Sequence, residues 1–230
     1  MKEMLTDSVY FGVMISLCTY GFGVLLKKRF RLAIFNPLLI AIAGTMVVLL
    51  ALDIDYDSYY EGAKYVSYLL TPATVCLAIP LYEQLALLKS SYRAILLGIL
   101  SGVLTSAVSV LAFALLFHFD HNMYVTMLPK SITTAIGMGI AEELDGYVTI
   151  TVAMIIITGI FGNMISEWLL RCFHIKDPIA KGIAIGTSSH AMGTAKAMEL
   201  GEIEGAMSSL SIAVAGLLTV VAAMVFANFL

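Results

Sequence analysis

The charged residues of this chain fall almost entirely outside its long apolar runs, and that spacing decides what it can fold into. A helix needs about 20 apolar residues to cross a bilayer. Runs of roughly that length occur at Tyr10–Leu26, Pro37–Leu52, Tyr65–Leu88, Ala94–Phe117, Tyr147–Leu170 and Gly205–Leu230. The gaps hold Lys27–Arg31, the acidic group Asp53–Glu61, which reads as a wet loop, Lys89–Arg93, His118–His121 and Arg171–Lys181. With 60% hydrophobic residues, 13% charged ones and a mean hydropathy of +0.94, the 230 residues leave no stretch for a soluble domain. The expected class is an all-α polytopic membrane protein with about six full spans.

Charge and cysteine usage exclude further classes. The net charge of −3 and the scatter of basic residues among loops leave no footprint for nucleic acid. Cys18, Cys76 and Cys172 lack any metal-ligand or CxxC spacing and read as small, buried apolar thiols. The opening MKEMLTDS has neither a basic run nor a small-residue cleavage site, so the first apolar run reads as a retained helix. Serine-nucleophile, zinc-protease and phosphate-loop motifs do not occur, so neither enzymatic activity nor a metal or other cofactor is expected.

Two segments depart from the apolar pattern. Tyr124–Leu144 carries Pro129, Lys130, Ser131, Thr133, Thr134, Gly137, Gly139, Glu142 and Glu143, and Gly182–Leu200 carries Gly186, Thr187, Ser188, Ser189, His190, Gly193, Thr194 and Lys196. Basic residues in short loops stay cytoplasmic. That rule is kept at Arg171, Lys176 and Lys181 only if the first segment dips into the membrane and returns to the outer side. The second segment then enters from the cytoplasmic side. Aligned at an offset of 56 residues, Ala135/Ala191, Gly137/Gly193, Ala141/Ala197, Glu143/Glu199 and Leu144/Leu200 are identical. Two related segments entering from opposite faces form an inverted repeat, a common build among secondary transporters. The domain reading is a single membrane domain, with residues 1–121 as scaffold and repeats at 122–177 and 178–230.

Non-helical backbone is tolerated at membrane depth only where protein or a water-filled cavity satisfies it. Half-helices starting after Ser131–Thr134 and Thr187–His190 would offer free N–H groups to an anion. Lys130 and Lys196 are candidate counter-charges, although Lys130 could equally snorkel to the interface. His190 could carry a coupled proton or be a hydrogen-bonded structural histidine. Glu143 and Glu199 read as helix-end charges or as proton carriers. Glu83 and Gln84 could face the same cavity. The small residues also suit ordinary tight helix packing, so each alone is compatible with a purely structural role.

Several motifs carry a resemblance: Asn36-Pro-Leu-Leu39, Pro72–Tyr82, Leu128-Pro-Lys-Ser-Ile-Thr-Thr134, Ile157–Gly162 and Gly186-Thr-Ser-Ser-His-Ala-Met-Gly-Thr-Ala195, running on to Glu204-Gly-Ala206. Together they resemble the LrgB/CidB family over nearly the whole chain. The resemblance implies a multi-pass protein of a bacterial cytoplasmic membrane, forming a homo-oligomer and working beside a small LrgA/CidA-like membrane protein. It implies small monocarboxylates such as pyruvate, glycolate or glycerate as substrates, related domains occurring in chloroplast glycolate/glycerate transporters. Its alternative is an antiholin- or holin-like regulator of murein hydrolase activity and lysis. The family's polar motifs fall on Lys130, Ser131, Thr133, Thr134, Thr187, Ser188, Ser189, His190 and Lys196. Many members have proline where this chain has Ala135, and Gly-Pro near Ser166-Glu167. Cysteines introduced at Asp145, Lys176 and Glu202 test the topology. Impermeant thiol reagents should reach the first from outside the cell and the other two only from inside.

Overall fold

The computed structural model describes residues 9–30, 35–69, 72, 75, 76 and 78–230. The opening eight residues lie outside that set, while the first apolar run is described and is helical over Val9–Phe30. Contacts divide the chain into two compact units, Met1–Cys76 and Leu77–Leu230. The long helix that precedes the repeats falls in the second of these units.

In the first unit, α1 (Val9–Phe30) packs against α2 (Pro37–Leu52) and α3 (Tyr56–Ser67). Pro37 opens α2 behind an Asn36 cap whose Oδ1 accepts from Leu38 N at 2.9 Å, as expected where proline needs no donor partner. Thr19 and Thr45 hydroxyls meet at 3.0 Å between α1 and α2, and Ser16 meets the Tyr59 hydroxyl at 2.7 Å between α1 and α3. The Asp53–Glu61 group was expected to be a wet loop. Instead, α3 starts at Tyr56, because the Asp55 carboxylate accepts from Ser58 N at 3.0 Å and caps it. The expected Tyr65–Leu88 span lies partly outside the described residues.

The second unit runs α4 (Ala78–Glu83), α5 (Leu85–Phe117), α6 (His121–Met127), α7 (Thr134–Glu143), α8 (Val148–Cys172), α9 (Pro178–Leu200) and α10 (Glu202–Phe226), then a 3-10 turn at Ala227–Phe229. Lys89–Arg93, expected as a loop, lies inside α5, with a local break at Ser91 (φ −118°, ψ 16°). Among the described residues, Tyr10–Phe30, Leu88–Phe117, Val148–Cys172 and Glu202–Phe229 are long and apolar enough to cross a membrane. Their outward faces are apolar too: Leu217 is 72% exposed and Trp168 64%. Only lipid satisfies such a surface, so the chain is an all-α polytopic membrane protein. Lipid cover also corrects the cysteine reading. All three thiols are exposed, because a small apolar group facing lipid has no need of protein burial.

Both polar segments are re-entrant hairpins. In the first, α6 leads in, residues 128–133 turn, and α7 leads back. Its two ends are tied together by Asn122 Nδ2 donating to Asp145 O at 2.9 Å and by Tyr147 N donating to Thr126 Oγ1 at 2.8 Å. In the second, α9 breaks at His190 (φ 41°, ψ −139°) and doubles back. A Cβ on Gly193 would lie 2.8 Å from Ile185 Cγ2. Eight residues along a straight helix would separate those positions by about 12 Å. Each inbound limb starts on an aspartate cap: Asp120 accepts from Met123 N at 3.0 Å and Asp177 from Ala180 N at 2.8 Å.

The hairpins enter from opposite ends of the unit, and each is followed by a span, α8 or α10. The first packs Tyr124, Val125, Leu128, Ile132 and Ile140 against Val110 and Ala114 of α5 and Ala223 of α10. The second lies along α10, which Gly182 and Gly186 let it approach closely. Positions that match at the 56-residue offset also pack alike. Ile136 Cδ1 fills the space a Cβ on Gly216 of α10 would need (2.9 Å), and Met192 Sδ does the same at Gly159 of α8 (2.8 Å). Each hairpin thus leans on the span of the other repeat.

Gly186 and Gly139 test this packing in opposite directions. A Cβ on Gly186 would stand 2.5 Å from Ser208 O, so Gly186→Ala should cost about 1–3 kcal/mol by overpacking. Gly139 of α7 meets nothing within 4 Å, so Gly139→Ala should stabilise by roughly 0.5–1 kcal/mol. Thermal melts of the purified protein in detergent read both signs.

Candidate functional site

Beside the two hairpin turns, an open-sided cavity of about 560 Å³ lies between them, α5 and α8. The first turn contributes Lys130 and Ser131; the second contributes Thr187, Ser188 and Ser189. Ser131 and Thr187 are matched positions at the repeat offset, so the two turns supply equivalent hydroxyls from opposite sides. Helix α5 adds Ser101, Thr105, Ser106 and Ser109, whose spacing puts them on one face. Helix α8 adds Thr158 and Ser166 among apolar neighbours, and its Gly162 lets the Ser189 turn come close.

Every polar lining residue other than Lys130 is a serine or threonine, and none is acidic. The Lys130 ammonium donates to Ser131 Oγ at 3.1 Å and to Ser106 Oγ at 3.3 Å. No carboxylate lies within salt-bridge distance of it among the described residues. An ammonium has three N–H donors, so these two bonds leave one for a ligand. The Ser106 and Ser131 hydroxyls lie 3.2 Å apart, and one donates to the other. Whichever accepts keeps its own proton free. Thr187 and Ser188 donate to the backbone carbonyls of Ile183 and Ala184, each at 2.7 Å, and so present only lone pairs. The cavity thus combines an uncompensated cation with a hydroxyl donor beside it, and its apolar remainder lowers the local dielectric.

The other sequence-derived residues lie elsewhere. Thr133 and Thr134 sit at the start of α7 outside the cavity wall, although α7 does begin where the sequence placed a half-helix N-terminus. His190 is buried behind the turn. Its Nε2 lies 3.0 Å from Ile155 O, and since a carbonyl can only accept, Nε2 carries the proton. Lys196 does not reach the cavity: it pairs with Glu167 and Glu199, each at 3.1 Å, and ties the return limb of the second hairpin to α8. Glu167, at a position where the sequence suggested no role, is the anchor of that tie and also pairs with Arg171 at 2.5 Å. Glu143 and Glu199 are exposed at the hairpin ends, as helix-end charges are. Glu83 and Gln84 do not line the cavity, and His118, His121 and His174 are exposed.

Ser106 and its neighbours on α5, and Asn163, were missed in the sequence. Asn163 Nδ2 donates to Met192 O at 2.7 Å and helps hold the break in α9. The signal was there: hydroxyl residues at i, i+4, i+5 and i+8 of an otherwise apolar span, and one amide in α8.

An inverted-repeat α-helical membrane protein with two re-entrant hairpins around a cationic cavity is the class these features define. The chain belongs to the LrgB-like family, whose model matches residues 16–229. It is 38% identical to the antiholin-like protein LrgB of Bacillus mycoides (strain KBAB4) over 226 residues, 98% of each chain. It is 37% identical, with the same coverage, to the proteins of that name from Bacillus cereus (strain B4264) and Bacillus anthracis (strain CDC 684 / NRRL 3495). No solved structure matches it.

The backbone at His190 yields a prediction of unusual sign. Its positive φ strains any residue with a Cβ, so His190→Gly should leave the protein about 1 kcal/mol more stable than His190→Ala. In an unbroken helix glycine would be the worse of the two. Detergent melting temperatures of the two variants decide between the break and a continuous helix.

Proposed function

We propose that this chain carries small monocarboxylates across a bacterial cytoplasmic membrane, binding them at Lys130 in the cavity between the hairpin turns. The observation that carries this reading is the uncompensated Lys130 ammonium, held by Ser106 and Ser131 with one N–H and one hydroxyl proton to spare. Two adjacent donors suit the two oxygens of a carboxylate, and a single cation suits a monoanion. Inverted repeats with broken helices at the midplane support alternating access around such a site. A small LrgA/CidA-like membrane protein and further copies of the chain are its proposed partners.

The relatives' printed name speaks more directly for a second reading, an antiholin-like protein that regulates murein hydrolase activity by assembling in the membrane. That role needs oligomeric contacts and no ligand in the cavity.

Proteoliposomes separate the two, with and without a co-expressed partner. Transport predicts saturable uptake of labelled pyruvate or glycolate. Lys130→Ala should raise the half-saturating concentration roughly 10–100-fold, since a hydrogen bond to a charged group contributes about 1.5–3 kcal/mol. Lys196→Ala should affect binding far less, because its charge is spent on Glu167 and Glu199. Unsaturable leakage of dyes of varied size, indifferent to Lys130, would sink transport and favour the regulator.

A further inference from the structure

A second cavity of about 580 Å³ lies between α5 and the inbound limb of α9. It starts at Ser91 and Asp177, at the end of the unit where Lys181 and Glu204 pair at 3.6 Å, and continues past Ala94, Gly98 and Ala184. It shares Ser101, Gly102 and Thr187 with the Lys130 cavity. At that junction the two helices touch: a Cβ on Gly102 would lie 2.8 Å from Thr187 Oγ1. The two cavities therefore adjoin along α5 and meet at that contact.

We infer that the Lys130 site is reached from the Lys181 end along the α5–α9 groove, and that Gly102 and Thr187 form the constriction that limits what passes. The inference rests on the transport reading only for the identity of the cargo. Along α5 the groove is lined at Ser91, Ala94, Gly98 and Ser101, one helical face that carries on into the hydroxyl face of the inner chamber. These small side chains leave room for a ligand. Thr187 has its hydroxyl bonded back to Ile183 O, so its position at the constriction is set by its own helix. Passage requires α5 and the second hairpin to part by a side chain's width. The glycine keeps that displacement small, and any larger residue at 102 increases it.

The test is chemical access, which needs no transport. In a background with Cys18, Cys76 and Cys172 replaced by serine, Ser106→Cys places a thiol in the inner chamber and Ala184→Cys one in the groove. A small anionic methanethiosulfonate added to the Lys181 face should modify both. Gly102→Val should slow modification at position 106 at least tenfold without changing it at 184, which also reports that the fold is intact. Thr187→Ala, a deletion the packing tolerates more easily, should speed modification at 106 severalfold. Unchanged rates at 106 in both variants, or modification at 106 only from the His121 face, would overturn the route. If labelling behaves as expected but no carboxylate is taken up, the route stands and the cargo is wrong.

Discussion

Backbone amides and carbonyls have no water to turn to inside a bilayer, and each one left unpaired costs several kcal/mol. Two helix interruptions at membrane depth are therefore the most demanding elements of this molecule, and much of the second unit is arranged to satisfy them. Residues 128–133 are wrapped by α5 and α10, with Thr126 and Thr151 supplying hydrogen bonds beneath the turn. The break at His190 is held by its own ring on Ile155 O, by Asn163 on Met192 O, and by Thr194, which donates to His190 O at 3.0 Å and meets Ser208 at 2.7 Å. Glycines at 159 and 162 let α8 come near enough for these bonds to form. The cavity follows from this arrangement: where two turns meet, helical side chains no longer fill the space.

The fold was legible wherever one physical rule acted alone. Long apolar runs gave α1, α2, α8 and α10, and the bookkeeping of basic loops required Tyr124–Leu144 to return to its own side, as the Asn122–Asp145 bond shows it does. Legibility failed where a local signal overrode composition. Asp55 capped a helix in what read as a wet loop, and Lys89–Arg93 read as a gap although their helix continues through them. The cysteines were misplaced by a rule for soluble cores, in which a small apolar group seeks protein rather than lipid.

The site was legible in part, and the division is instructive. Lys130, Ser131, Thr187, Ser188 and Ser189 stood out as polar residues in apolar surroundings, and all meet at the cavity. Lys196 and His190 stood out for the same reason yet serve to hold the second hairpin in place. Polarity alone does not separate a group that waits for a ligand from one already paired, since the distinction lies in which neighbours folding brings near. Glu167 sits on a different helix from Lys196, and Ser106 lies on α5 while Lys130 lies in the turn of the first hairpin.

The partnership of the first hairpin with α10 bears on how the protein is made. Tyr124 donates its hydroxyl to Phe226 O at 2.9 Å, and its buried neighbours rest on Ala223 and Ala227. Neither α6 nor α7 is long enough to cross a bilayer, so neither gains from entering lipid before that support exists. During synthesis the ribosome must deliver about eighty residues beyond Glu143 before Ala223 of that seat exists. The first hairpin is thus seated late, when α10 arrives to pack against it.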